Sequence, residues 1–189
     1  MTSDGNDVRV KVADYAVRRG EEVLTTIGLG SCVAIALYDR DSHTGGLAHI
    51  LLPSQAMSRE TSNPAKFPET VVPLMLQEMR ALAGNDAGRV SAKIIGGASM
   101  FGQLVSGSGV NVGERNILAT REVLAAHDVP LVAEDTGLDY GRSVYFHLAD
   151  GHIEVRSLKA GNRVLEGNHD GPRRGRQRVH APNHHAHRG

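Results

Sequence analysis

A chain of 189 residues, 40% hydrophobic and 22% charged, has the composition of a soluble globular protein with a core of its own, and no run approaches the 18 or so apolar residues of a transmembrane helix. The formal net charge is zero but uneven: residues 167–189 carry five Arg against one Asp, and residues 1–166 carry the compensating excess of acid. Cys32 is the only cysteine, which excludes an internal disulfide, and "MTSDGNDVRVKV" lacks the basic-then-apolar pattern of a signal peptide, so the expectation is a cytoplasmic protein without membrane insertion.

The strand-like segments come first. "VRVKVADYAV" alternates in its first half, and "EVLTTIG", "CVAIALYD" and "GGLAHILLP" follow, rich in apolar and β-branched residues and punctuated by glycine. "SQAMSRETSNPAK" is polar and reads as a loop. "FPETVVPLMLQEMRALAG" places Val72, Met75, Leu76, Met79, Leu82 and Ala83 on one helical face, with Pro68 as a start signal, Gly84 as a stop and Pro73 as a source of a kink. "SAKIIGGASMFG" is a strand running into a glycine-rich turn, "GERNILATREVLAAHD" a second helix, and "VPLVAED" a strand. "RSVYFHLADGHIEVRSL" is a hairpin turning at Asp150-Gly151. Many strands with two helices predict an α/β or α+β domain with a mixed or antiparallel sheet over residues 1–166. Residues 167–189, made largely of Gly, Pro, Arg, His and Asn with no apolar period, predict a disordered basic, His-rich tail.

Pairing "CVAIALYD" with "GGLAHILLP" through a loop at residues 39–42 sets Tyr38 against His43 and Cys32 against His49, with Cβ atoms about 4.5–5.5 Å apart. A thiolate is the nucleophile, an adjacent imidazole can take and return the proton, and a third group orients the imidazole. Thr26, on the preceding strand, is the candidate for that third role, and the backbone N–H groups of the "GLGS" entry, at Gly30 and Ser31, are candidates for holding an oxyanion. The competing reading is structural: cysteine is among the most buried residue types, and His49 between Ala48 and Ile50 has the setting of a core histidine. A register slip of one residue would also separate the two faces. Spacing alone leaves both readings open.

At these residues the sequence resembles the CheD family of chemoreceptor glutamine deamidases. The resemblance is carried in order by "TIGLGSCV" (26–33), "AHILLP" (48–53), "KIIGGASMF" (93–101), "VGERN" (112–116) and "GRSVYF" (141–146), and runs from about residue 8 to 160. The cysteine and histidine motifs, 17 residues apart, are the specific part. The resemblance implies a Cys-His-Thr active site, with Cys32 as nucleophile, His49 as general base and acid and Thr26 as the orienting residue. It implies an α+β domain layered α/β/β, similar to deamidating bacterial toxins, and hydrolysis of chemoreceptor glutamine side chains to glutamate with no metal or organic cofactor. The implied partners are chemoreceptor cytoplasmic domains and, for some members, a CheC-type phosphatase. No nucleic acid is expected. One departure is "EDTGLDYGR", where Leu138 stands at the second position of a frequent Gly-Gly pair; it bears on substrate choice rather than chemistry.

"GGASMFG" lacks the lysine of a P-loop and the spacing of a dinucleotide fingerprint, so it reads as a turn or a wall of the site. Arg115 and Asn116 open the second helix and read either as a capping and surface pair or, by the resemblance, as lining of the substrate groove. The tail holds His169, His180, His184, His185 and His187 without the spacing of a structural zinc site; it reads as solvated, with loose metal binding or docking to an acidic surface as the alternatives. Two rival functions share the same residues: a binding module that regulates a CheC-type phosphatase, and a cysteine peptidase or small-molecule amidase.

Overall fold

The computed structural model describes residues 7–100 and 111–167. The tail beyond Gly167 and the end of the "GGASMFG" turn lie outside the described residues. Two five-stranded sheets and two helices make up the fold. The strands in chain order are β1 (Asp7–Arg9), β2 (Asp14–Arg19), β3 (Val23–Leu29), β4 (Val33–Asp39), β5 (Thr44–Ile50), β6 (Val90–Gly96), β7 (Leu131–Thr136), β8 (Arg142–His147), β9 (Ile153–Ser157) and β10 (Gly161–Leu165). The helices are α1 (Pro68–Ala83) and α2 (Val112–Ala126). One sheet runs β1-β3-β8-β9-β10 and the other β2-β5-β4-β6-β7. Both are mixed: β1 lies parallel to β3 and β7 parallel to β6, and the other neighbours are antiparallel.

Strand β4 is buried at every position because it is covered on both faces. Val33, Ile35 and Leu37 pack with Val71, Val72, Met75 and Met79 of α1 and with Ile117 and Leu124 of α2. Ala34, Ala36 and Tyr38 pack with Leu24, Leu29, Val144 and Phe146 of the other sheet. The order is therefore helices, sheet, sheet, the α+β layering expected. Each fully buried Leu, Ile or Val contributes about 1.5–3 kcal/mol, so these two cores carry the fold. No helix among the described residues is long and apolar enough to cross a membrane.

Several elements differ from the sequence expectation. The β4–β5 hairpin pairs Asp39 with Thr44 and Ala34 with His49, two residues away from the expected register. The turn is Arg40–His43 rather than residues 39–42. The Asp39 carboxylate organises it by accepting from Asp41 N (3.0 Å) and Ser42 Oγ (2.8 Å), and His43 takes a φ of 51°. The first segment is not one strand: Ala13, at φ 55°, turns the chain from β1 in one sheet to β2 in the other. In α1, Leu82 is 45% exposed and Val71 takes a place in the core. Strand β10 has no counterpart in the sequence reading; it is a polar, mostly exposed edge strand without an apolar alternation to mark it.

Candidate functional site

Cys32 closes the short link, Gly30–Cys32, by which the chain passes from β3 in one sheet to β4 in the other. Gly28 (φ 77°) and a register shift between Thr26 and Leu29 end the regular pairing of β3 with β8 just before this link. All three carbonyls of the link are held. Ala98 N donates to Gly30 O (2.8 Å), Asn116 Nδ2 to Ser31 O (2.9 Å) and Gly97 N to Cys32 O (2.8 Å). The Gly30 and Ser31 N–H groups donate to no other described residue. The turn that grips the link requires glycine: Gly96 has a φ of 110°, and a Cβ there would overlap the Cys32 carbonyl oxygen. Gly97 (φ 68°) leaves room for Ile117 of α2, so the turn forms a wall of the site.

His49 lies opposite Ala34, which makes it the diagonal neighbour of Cys32. A displacement of two residues preserves the face. Cys32 belongs to the layer between the sheets, and the His49 ring points into that layer to reach Thr26 of the other sheet. Thr26 Oγ1 is 2.7 Å from Val10 O and 2.7 Å from His49 Nδ1. A carbonyl oxygen only accepts, so the single hydroxyl proton goes to Val10. The Nδ1 of His49 must then carry a proton and donate it to Thr26. That bond fixes the tautomer and leaves Nε2 with its lone pair. Nε2 is buried without a hydrogen-bond partner, and in this resting arrangement it is not bonded to the Cys32 thiol.

Burial controls the charge of both groups. His49 is fully buried, and the loss of solvation pulls its pKa down to about 4. Burial pushes the Cys32 thiol up, an effect partly offset by a hydrogen bond from its own backbone N–H. The resting pair is a neutral thiol and a neutral imidazole rather than an ion pair. Such a pair can perform general-base attack: a free lone pair stands ready to accept a proton when a substrate draws the thiol into line.

Of the other candidates, Asn116 is neither a cap nor a surface residue. It is fully buried, and Nδ2 also donates to Leu51 O (3.2 Å), tying the Cys32 link to the end of β5. The cap of α2 is Asn111, whose Oδ1 accepts from Gly113 N (2.9 Å) and Glu114 N (3.4 Å). Arg115 is exposed, with Nη1 3.7 Å from Met57 Sδ, and makes no bond to Thr26, Cys32 or His49. Leu138 is 64% exposed at a φ of 61°, and its carbonyl accepts from Ser99 N (2.8 Å) beside the glycine turn. Two contributors escaped the sequence reading. One is the Val10 carbonyl, a backbone atom with no signature in residue type. The other is Arg142, buried in the quoted "GRSVYF" motif. Its Nε donates to Asp135 Oδ1 (3.1 Å) and its Nη1 to Gly137 O (3.0 Å), which fixes the loop that carries Leu138. A groove of about 570 Å³ opens beside Gly28 and Met100, between Tyr140, Tyr145 and Leu158; none of Thr26, Cys32 and His49 lines it.

Comparison with known sequences gives a consistent picture. The model of a family described as "CheD chemotactic sensory transduction" matches residues 51–157. The chain is 42% identical over 158 residues to a protein of Caldanaerobacter subterraneus subsp. tengcongensis, covering 84% of this chain and 97% of the relative. It is 42% identical over 160 residues to a protein of Pyrococcus abyssi, covering 85% and 96%. It is 44% identical over 158 residues to a protein of Moorella thermoacetica, covering 80% and 91%. Each of these relatives carries the name "Probable chemoreceptor glutamine deamidase CheD".

Proposed function

The chain belongs to the CheD family, and on that premise we propose that it is a cytoplasmic protein-glutamine deamidase that hydrolyses chemoreceptor glutamine side chains to glutamate through a thioester on Cys32. The deamidase domain spans residues 1–166, with residues 167–189 as an appended basic, His-rich tail. One observation carries the assignment of roles. The Thr26 hydroxyl, committed to Val10, holds His49 in the tautomer whose unpaired Nε2 lies in the same layer as the one cysteine.

The steps balance on these residues. His49 Nε2 takes the Cys32 proton as sulfur attacks the carboxamide carbon. The negative charge that develops on oxygen is met by backbone N–H groups of the link, with Gly30 and Ser31 as the donors whose amides have no other described partner. The imidazolium returns its proton to the amide nitrogen, ammonia departs and the thioester remains. Water then enters, His49 takes its proton, and the hydroxide oxygen bonds to the acyl carbon. The sulfur leaves and recovers the proton, and the product acid ionises to glutamate. Thr26 keeps Nδ1–H in place throughout and stabilises the transient imidazolium. Exposed Arg115 and the loop at Leu138 lie outside this set and bear on how a receptor helix is held.

Intact-mass spectrometry of a purified chemoreceptor cytoplasmic fragment, incubated with wild type and with Cys32→Ala, tests the reading. A gain of about 1 Da per site with wild type only is the expected result, since an amide becomes an acid. An unchanged mass with the cognate receptor would overturn deamidation and leave a binding module acting on a CheC-type phosphatase. Turnover of free glutamine or small peptides alone would point to an amidase or peptidase.

A further inference from the structure

The β4–β5 pairing ends at Val33 with Ile50, so the Cys32 link and the chain just past β5 run on beyond the ladder. One fully buried side chain spans that gap. Asn116 of α2 places Nδ2 2.9 Å from Ser31 O and 3.2 Å from Leu51 O. Ser31 immediately precedes Cys32, and Leu51 stands two residues after His49. Two carbonyl oxygens that converge on one point repel each other. A nitrogen with two hydrogens satisfies both, whereas a hydroxyl, with one, cannot. The amide is thereby oriented, because only its nitrogen can face two acceptors. Its Oδ1 is left buried without a hydrogen-bond partner among the described residues. An unpaired buried acceptor is costly, and such a group is tolerated where a site needs the rest of the side chain.

The grip on Ser31 O also sets the other end of the same peptide. A trans peptide is planar, with its C=O and N–H directed to opposite sides. Helix α2 packs on the face of Val33, Ile35 and Leu37, so Ser31 O is drawn toward the helical layer. The Cys32 N–H is then turned to the opposite face, into the layer between the sheets that holds Cys32 and receives the His49 ring. The hydrogen bond from the Cys32 N–H to its own Sγ agrees with that direction. The neighbouring carbonyls, Gly30 O and Cys32 O, are held by the backbone amides of Ala98 and Gly97. Ser31 O is held by a side chain, so its grip can be removed by substitution.

Resting on the deamidase reading above, we propose that Asn116 is a positioning residue: it turns the Ser31–Cys32 peptide so that the Cys32 N–H serves as an oxyanion donor. As Sγ bonds to the carboxamide carbon, the π electrons of the C=O pass to the oxygen, two bonds from sulfur. A donor that already faces Sγ reaches that oxygen without reorganisation. The electrons return to the C=O when ammonia leaves, and the same cycle serves hydrolysis of the thioester. The second hydrogen of Nδ2, on Leu51 O, anchors the nitrogen to the chain that follows His49. Nucleophile, oxyanion donor and base thus keep one spacing.

The test compares full-length wild type, Asn116→Ala and Asn116→Leu in two reactions, each protein assayed below its own thermal transition. Asn116→Leu keeps the side-chain volume and guards against collapse of the smaller variant. The first reaction is ammonia release from a chemoreceptor cytoplasmic fragment, which passes through an oxyanion. The second is alkylation by iodoacetamide, in which sulfur displaces iodide and no oxyanion forms. Cys32 is the single cysteine, so a mass gain reports on it alone. Both variants should lose about 10-fold or more in kcat with KM little changed. Their alkylation rates should stay within about 3-fold of wild type, because thiol and base are untouched. A parallel fall in both reactions would mean that the site has come apart, and would overturn the positioning role. Wild-type kcat in a folded variant would overturn it while deamidation stands. No ammonia from wild type with the cognate receptor would overturn the deamidase reading, and this role with it.

Discussion

Thr26 has one hydroxyl proton and two neighbours at 2.7 Å, and Val10 O is the one that can only accept. Replacing Thr26 by Val removes the acceptor for Nδ1–H and frees the imidazole to take the other tautomer, in which Nε2 is no longer a base. Single-turnover ammonia release should fall by about 10²-fold or more with KM little changed, whereas Thr26→Ser should keep most of the rate. A loss in KM alone would mean that Thr26 serves binding instead. The depressed pKa of His49 makes a second prediction. The base must be neutral, so the acid limb of kcat/KM should lie near pH 4 rather than near 6.5, and burial of the Cys32 thiol should carry activity well into the alkaline range. Stability follows the same group. Above pH 6.5 His49 is neutral both folded and unfolded. Between 6.5 and about 4 only the unfolded chain takes up the proton, so stability drops across that window by about 3 kcal/mol. Urea titrations at pH 7 and pH 4.5 should show the loss in wild type and little of it in a His49→Gln variant that folds.

Among the elements, α2 positions more than it covers. Asn116 sends both hydrogens of its amide to carbonyls, Ser31 O on the Cys32 link and Leu51 O just past β5. Asn116→Ala strands both carbonyls and should destabilise the protein by about 1–3 kcal/mol in denaturant titration. Asn116→Asp should be worse, because a buried carboxylate cannot donate to either. Equal stability of the two variants would count against this account. The pairing of Cys32 with His49 on one face was legible from "CVAIALYD" and "AHILLP", since an error of two in register leaves faces intact. The role of Asn116 was not. In sequence it sits near a helix start, where asparagine usually caps, but the helix begins at Val112 and Asn111 has that task. The Val10 carbonyl was equally hidden: it meets Thr26 through the β1–β3 side of one sheet and His49 only through the packing of the second.

At the scale of the whole molecule, the two sheets approach closely at Gly45 of β5. A Cβ at Gly45 would overlap Leu148 Cδ2 and lie 3.1 Å from Phe146 Cε1. Gly45→Ala should therefore cost about 1–3 kcal/mol by wedging the layers apart, as measured by denaturation. Activity should suffer with it, because the Thr26–His49 bond crosses the same interface; full activity with lowered stability would separate the two. That crossing has a further consequence during synthesis. Thr26, Cys32 and His49 leave the ribosome early, yet the sheet that holds Thr26 is completed by β8, β9 and β10, from residues 142–165. A nascent chain carries the three proposed catalytic residues for most of its translation without the completed sheet that holds Thr26 in place. On the chemistry we propose, its thiol should stay quiet toward the glutamines of neighbouring proteins until the last strands arrive.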